Sequence, residues 1–316
     1  IKYCPIQPQI CDNIIDFIRE KAVEYEISGF NEKKHSGDLR HIVIRSSADN
    51  GDCLITLVIN GTKMFKRLED FSKVIFEKVK GVCVNFNSKK TNVILGKETQ
   101  CVCGQDFIEE KLLDKTFKIG ADTFFQVNPK SAENIFKYVK NEIQKLENPS
   151  VLDAYAGIAT FGICVSDVAE KVTSVEENSS SIEKAKEVLE LNKIRNVELF
   201  AQDTLKYLKS IKKKFDVIVL DPPRKGCTQE VLDEVLKHSK TRHSEGESSK
   251  ILCSAQNDEK AEESQKSKII YVSCNPATLA RDLKYLTEHG AKVESIQPFD
   301  MFCHTYHIEN VAIICF

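Results

Sequence analysis

The sequence predicts an α/β fold: a parallel sheet covered by helices on both faces, preceded by a small α+β domain with an antiparallel sheet. Three observations carry this. Beyond residue 116, apolar strand-like segments alternate with helical patterns. Before residue 115 that alternation is absent, and two apolar runs flank a hairpin signal instead. Polar side chains gather where the later strands end, the place where open α/β sheets bind ligands.

The first part, 1–115, opens on a helix over 11–27, with Asp12 placed to cap it and Ile14, Ile15, Phe17, Ile18 and Val23 forming an apolar stripe. LRHIVIR (39–45) and CLITLVIN (53–60) read as strands joined through Asn50-Gly51, a strong hairpin signal. Phe65 to Lys80 reads as a second helix, TNVILG (91–96) as a strand, and a further short strand falls near Phe107.

The second part, 116–316, carries SVLDAYAG, KVTSVEEN, VELFAQD, FDVIVLDPP, KIIYVSCNP, KVESIQPF and HIENVAIICF. Helical patterns such as SIEKAKEVLELNK (181–193) and TLARDLKYLTEHG (278–290) separate all but the last two, so one of those is expected to run antiparallel at an edge. Residues 240–267, rich in Ser, Glu, Lys and Gln, read as an exposed insertion.

Composition narrows the class. At 316 residues, 41% hydrophobic and 29% charged, the chain suits two globular domains. No apolar run approaches the roughly 20 residues that cross a bilayer. The 12 cysteines lie mostly within apolar segments, which reads as free thiols in a reducing, cytoplasmic compartment. With a net charge of -2, any nucleic-acid contact must come from local positive charge. The first residue is Ile, which reads as a fragment with an upstream segment missing.

Four places can carry chemistry. Asp153-Ala-Tyr-Ala-Gly157 follows a short strand and lets backbone approach a ligand, or is plain strand–helix geometry. Glu176, 19 residues past Gly157, has the spacing of an acceptor for ribose hydroxyls, and Asp203 ends the next strand. The glycine pattern is not the full dinucleotide fingerprint, so a nucleoside ligand without pyrophosphate fits better. Asp221-Pro-Pro-Arg-Lys-Gly226 is a rigid platform or an ordinary turn, and Arg224 and Lys225 hold a phosphate or are simply solvated.

Cys274, in Ser-Cys-Asn-Pro, is either a buried core cysteine or a thiol at the ligand rim, where the helix starting near Pro276 favours thiolate. In Asp300-Met-Phe-Cys-His-Thr-Tyr-His-Ile-Glu309, zinc is the weaker reading because no cysteine pair stands at ligand spacing. His304 and His307 read as loop-fixing hydrogen bonders, and burial can raise the pKa of Glu309 towards that of a useful base.

FFQVNP (124–129), DAYAGIATFG (153–162), DPPRKG (221–226), SCNP (273–276) and DMFCHTYHIE (300–309), in this order, resemble the RNA 5-methyluridine methyltransferases. These are bacterial 23S ribosomal RNA (uracil-5-)-methyltransferases, with relatives acting on transfer RNA. The resemblance spans nearly the whole chain and implies a Rossmann-like S-adenosylmethionine-dependent domain. It implies Cys274 as nucleophile and Glu309 as general base, with Gln126, Tyr155, Thr160, Glu176, Asp203 and Asp221 at cofactor-contacting positions. Uracil carbon 5 is a poor nucleophile, and a thiolate adding at carbon 6 makes carbon 5 reactive. The base must leave its stack to be reached, and Phe124 or Phe125 is either a stacking partner or core.

Lys2-Tyr-Cys4-Pro5 resembles the segment carrying the last of four [4Fe–4S] ligands in the ribosomal branch, whose other three ligands lie upstream near an RNA-binding barrel domain. Cys4 alone holds no cluster. The chain departs from the family in reading AYAG where a Cys often precedes the Gly, in Cys303 where Pro is usual, and in the insertion. The expected partner is RNA, 23S ribosomal RNA first, with no DNA, no membrane and a monomeric state. The rivals are a transfer RNA uridine-5 enzyme, an RNA cytosine-5 enzyme, an amino-group methyltransferase and a non-catalytic RNA-binding assembly factor. A cytosine-5 enzyme typically carries its cysteine in a Pro-Cys context where this chain has Pro222-Pro223-Arg224. An amino-group enzyme needs an aromatic at Arg224 and no Cys274.

Overall fold

The computed structural model describes Cys4 and residues 7–126, 128–239, 267–301 and 303–316. Residues 240–266 of the expected insertion lie outside these, while Ser267 is buried just ahead of a strand. The chain forms two compact units, Ile1–Val127 and Asn128–Phe316. The division falls later than residue 115 because the segment after it pairs backwards: Phe107–Leu112 (β5) and Lys115–Gly120 (β6) form an antiparallel hairpin.

In the first unit, Gln9–Glu24 (α1) begins earlier than expected, and Pro8 stands at its N-cap. Proline suits a helix start, having no N–H to leave unpaired. Asp12 therefore sits in the first turn, accepting from Gln7 Nε2 at 2.5 Å, and does not cap. Leu39–Ser46 (β1) and Cys53–Ile59 (β2) form the expected antiparallel pair.

The sheet is nevertheless mixed. Lys66–Phe76 (α2) crosses over to Gly81–Phe86 (β3), which runs parallel to β2, and Glu98–Gly104 (β4) closes the order β1-β2-β3-β4. Leu68, Phe71 and Ile75 of α2 are buried with Ile55, Leu57, Val82 and Val84 of the sheet, and this core requires the crossover. The segment 91–96 is no strand. Asn87 Nδ2 donates to the carbonyls of Val93 and Ile94 at 2.8 and 3.0 Å, and Asn85 Nδ2 to that of Gly96 at 3.1 Å. Side-chain amides thus take carbonyls that a ladder would have used.

The second unit holds Pro129–Gln144 (α3), Ser150–Ala154 (β7), Thr160–Cys164 (α4), Lys171–Glu176 (β8), Ser179–Leu191 (α5) and Val197–Ala201 (β9). Thr204–Ser210 (α6), Val217–Leu220 (β10), Gln229–His238 (α7), Lys268–Ser273 (β11), Pro276–Glu288 (α8), Lys292–Phe299 (β12) and Glu309–Cys315 (β13) follow. The seven-stranded order is β12-β13-β11-β10-β7-β8-β9. Five strands, β11 to β9 in that order, are parallel. Leu152, Ile218, Leu220, Ile269 and Tyr271 bury one face with Leu208 of α6, Val231 and Val235 of α7, and Leu279 and Leu286 of α8.

The antiparallel strand is β13, and it is not at an edge. It lies between β11 and β12, antiparallel to both. Its residues from Glu309 to Ile314 are all buried, whereas β12 alternates in burial as an edge strand does. The continuous apolar run VAII carried that information, because a strand inside a sheet covered on both faces reads as an unbroken apolar run. The chain winds from β7 out to β9 and then returns to β10 on the other side of β7. This reversal opens a crevice at the carboxyl ends of β7 and β10, where DAYAG and DPPRKG lie.

Candidate active site

In sheet order, β9, β8, β7, β10, β11 and β13 each bring one polar residue to the same rim. Asp153 lies in β7, Glu176 ends β8, and Asp221 and Cys274 directly follow β10 and β11. Glu309 opens β13, and because that strand is antiparallel its start lies where the parallel strands end. Ser273 pairs with Asn310, so the ladder brings Cys274 and Glu309 together.

The first turn is held by its carboxylates. Tyr155, Gly157 and Ala159 all adopt left-handed backbone, with φ of 60°, 57° and 58°. Glu176 fixes the turn, accepting the Gly157 N–H at 3.0 Å and the Asn178 N–H at 2.8 Å. Each oxygen keeps a lone pair for a further donor. Asp153 is buried and accepts from Gly162 N–H at 2.9 Å and Ser174 Oγ at 3.0 Å, while its Oδ1 has no partner. Burial pushes its pKa up to about 7. Asp203 lies two residues past β9 and caps α6, accepting from Lys206 N–H at 3.0 Å. Thr160 is half-buried at the first position of α4.

Tyr155 turns its hydroxyl to the Cys227 thiol, and burial with the nearby Cys227, Asp203 and Asp282 holds its pKa well above normal. Gln126 is half-buried in the first unit, beside Phe125, whose ring lies 5.7 Å from that of Phe117. Phe125 is thus core, while Phe124 is 75% exposed.

Around Cys274 the charges are mixed. Burial raises the thiol pKa, and the neighbouring Glu309 and Asp221 carboxylates add to this. Arg224 opposes them, hydrogen-bonding the thiol through its side chain. The helix start at Pro276 is present, capped by Asn275 accepting from Ala277 N–H at 3.1 Å. As a whole the thiol pKa lies above its ordinary value, with burial the largest cause. Glu309 is 8% exposed, and burial pushes its pKa up to about 7 despite the nearby Arg224. Asp221 rises to about 8, through burial first and then the charges of Glu309 and Asp153.

The loop before Glu309 is tied to α3. Ser131 Oγ donates to the Asp300 carbonyl at 2.8 Å, and Asn128 Nδ2 to that of Met301 at 3.3 Å. His304 is exposed with a φ of 64°, and the His307 ring lies tilted against that of Tyr306, their centroids 4.2 Å apart. Among the described residues, no group of three or more His, Cys, Asp and Glu is placed to hold a metal ion. Cys4 is half-buried, and the described residues do not by themselves make an iron–sulfur site.

A family model described as tRNA (Uracil-5-)-methyltransferase matches residues 257–314, and one described as Conserved hypothetical protein 95 matches 129–273. A protein of Clostridium tetani named an uncharacterized RNA methyltransferase is 34% identical over 321 residues, covering 100% of this chain and 64% of its own length. One of Halalkalibacterium halodurans, named likewise, is 34% identical over 319 residues, covering 98% of this chain and 63% of itself. The chain belongs to the RNA methyltransferase family. It spans about 64% of the length of the curated relatives it matches.

Within this RNA methyltransferase family the likeness is to the uracil-5 kind. The crystal structure of the Pyrococcus abyssi tRNA (uracil-54, C5)-methyltransferase, in complex with S-adenosyl-L-homocysteine, superposes with a TM-score of 0.79. It is 27% identical, with 99% of this chain and 69% of that chain covered. The fold is therefore that of the Rossmann-like S-adenosylmethionine-dependent methyltransferases. The rim suits such a cofactor: Glu176 has lone pairs for a ribose diol, Gly157 leaves open space where a Cβ would stand, and the desolvated carboxyls favour a cation.

Sequence reasoning left Arg224 undecided between phosphate and solvent, yet it meets the Cys274 thiol. It gave Asp282 no role, although that carboxylate is buried at 2% exposure. Its only trace was an acidic residue on the apolar face of a helix, Leu279-x-x-Asp282-Leu283.

Proposed function

We propose that this protein transfers the methyl group of S-adenosylmethionine to carbon 5 of a uridine in RNA, with ribosomal RNA as the substrate. The meeting of Cys274 with Glu309 and Arg224 at one strand end carries the reading. Cys274 adds as thiolate to carbon 6 of a flipped uracil, and the ring becomes an enolate with a nucleophilic carbon 5. Bound S-adenosylmethionine supplies an electrophilic methyl group. Once carbon 5 has taken the methyl, Glu309 accepts the proton from that carbon, and the thiolate leaves carbon 6. A pKa near 7 lets Glu309 both accept and release a proton at neutral pH. Glu176 holds the ribose, Asp221 and Asp153 balance the sulfonium charge, and Tyr155, Thr160 and Asp203 complete the cofactor site within the second unit. Cys4, in Lys2-Tyr-Cys4-Pro5, would be one thiolate ligand of a [4Fe–4S] cluster.

A transfer RNA substrate is the second reading, favoured by the likeness to the Pyrococcus abyssi enzyme and by the family model matching 257–314. Both readings are tested by offering 23S ribosomal RNA and transfer RNA transcripts with radiolabelled S-adenosylmethionine, followed by nucleoside digestion. Label in 5-methyluridine from ribosomal RNA supports the first reading, and label only from transfer RNA replaces it with the second. Label in 5-methylcytidine, or none in any RNA, overturns both.

A further inference from the structure

The loop Asp221–Cys227 is fastened to α8 along its length. Asn275 Nδ2 and Thr278 Oγ1 each donate to the Arg224 carbonyl at 3.2 Å. Arg281 Nη2 donates to the carbonyls of Lys225 at 2.9 Å and Cys227 at 3.1 Å. Asp282 accepts from Cys227 N–H at 2.9 Å, from the Tyr271 hydroxyl at 2.6 Å and from Arg281 Nε at 2.7 Å. A buried carboxylate is retained only when strong donors surround it, and these three supply that. Gly226 has a φ of 74°, and a Cβ there would stand 2.5 Å from Asp282 Oδ2 and 2.6 Å from Arg281 Nη2. Glycine is what lets the loop come this close.

The same helix begins two residues after Cys274. The loop it grips carries Arg224, whose carbonyl is bonded by Asn275, the residue next to Cys274, and whose positive charge acts on the thiol. Thiol and guanidinium therefore share one rigid support. The Asp282 carboxylate orients Arg281 through Nε, and Arg281 Nη2 in turn holds the two carbonyls that set the path of the chain after Arg224.

We propose that Arg281 and Asp282 are positioning residues that hold Arg224 against Cys274, so that α8 aligns the nucleophile and its neighbouring guanidinium together. The proposal rests on the reading of Cys274 as nucleophile, but its test needs no RNA. The groups facing the thiol are Arg224, which favours thiolate, and Glu309 and Asp221, which oppose it. Releasing Arg224 leaves the carboxylates unopposed and makes the thiolate harder to form.

The experiment follows iodoacetamide alkylation of Cys274 against pH, read by mass spectrometry of its peptide, with the other cysteines as internal controls. Arg224→Met is expected to move the alkylation midpoint upward by about half a unit or more. Arg281→Met and Asp282→Asn are expected to move it in the same direction, and Arg224→Met combined with Asp282→Asn to move it no further than Arg224→Met alone. Arg281 is half exposed, so Arg281→Met carries the test where loss of the buried carboxylate unfolds the chain. An unmoved midpoint in Arg281→Met and Asp282→Asn, or in Arg224→Met, overturns the proposal, as do shifts that simply add in the double variant. Methyl transfer to RNA is assayed alongside. Its absence in the unaltered protein, with the alkylation shifts present, rejects the RNA reading and leaves the positioning pair standing.

Discussion

Cys274 and Glu309 come together because β13 runs antiparallel to β11, with Ser273 paired to Asn310 on the last rung. The two residues are 35 positions apart in sequence, and the ladder makes them neighbours. A thiol and a carboxyl joined in this way can divide a substitution at carbon 5 between attack and proton removal.

Cys274→Ala is expected to abolish methyl transfer while leaving folding and cofactor binding intact, since the side chain is only half-buried. RNA containing 5-fluorouracil is expected to trap the unaltered protein covalently, because fluorine does not leave as a proton does. Turnover by the Ala variant, or an adduct formed through another cysteine, removes Cys274 from the reaction.

Glu309→Gln is expected to allow attack by Cys274 and transfer of the methyl group, but to block the elimination that follows. A denaturant-resistant protein–RNA band should accumulate. Product at the normal rate without that band would make Glu309 structural. If neither adduct nor product forms, Glu309 acts before methyl transfer, and Asp300 becomes the candidate base.

The same substitution has a stability signature with a defined sign. The folded pKa of Glu309 is raised from 4.5 to about 7, so the fold favours the protonated carboxyl. That contribution is complete below pH 4.5 and is lost as pH rises through about 7. A displacement of this size corresponds to roughly 3 kcal/mol at full ionisation. Glu309→Gln should therefore gain in melting temperature over the unaltered protein between pH 4.5 and 8, with little gain at pH 4. Calorimetry showing a pH-independent difference would mean that the carboxyl is not held in its neutral form.

Glu176→Ala should weaken S-adenosylmethionine binding by roughly 10- to 150-fold, the loss of a charge-assisted hydrogen bond. Since Glu176 also holds the Gly157 and Asn178 N–H groups, Glu176→Gln separates the two roles. Its amide oxygen can accept only part of what the carboxylate accepts. Titration calorimetry giving the same affinity for all three proteins would take Glu176 out of the cofactor site.

The motifs were legible because each is local. DAYAG, DPPRKG and SCNP are strand-to-turn signals, and the turn chemistry of Gly and Pro is written in adjacent residues. The parallel sheet followed from the alternation of periods, and the β1–β2 hairpin from Asn50-Gly51. TNVILG misled because its composition suits a strand while its carbonyls are taken by Asn85 and Asn87 from the neighbouring strand and its continuation. GVCVNF was overlooked as β3 since its parallel partner lies beyond a helix.

By itself the sequence determined which residue types stand at the strand ends and in what order, because those depend on neighbours a few positions away. Only the tertiary structure decided that β13 inserts between β11 and β12, that Arg224 meets Cys274, and that Asp282 reaches the Cys227 N–H across 55 residues. Those contacts depend on strand order and register. Many pairings can bury similar apolar runs, and the choice among them is made by the packing of the whole sheet and its helices.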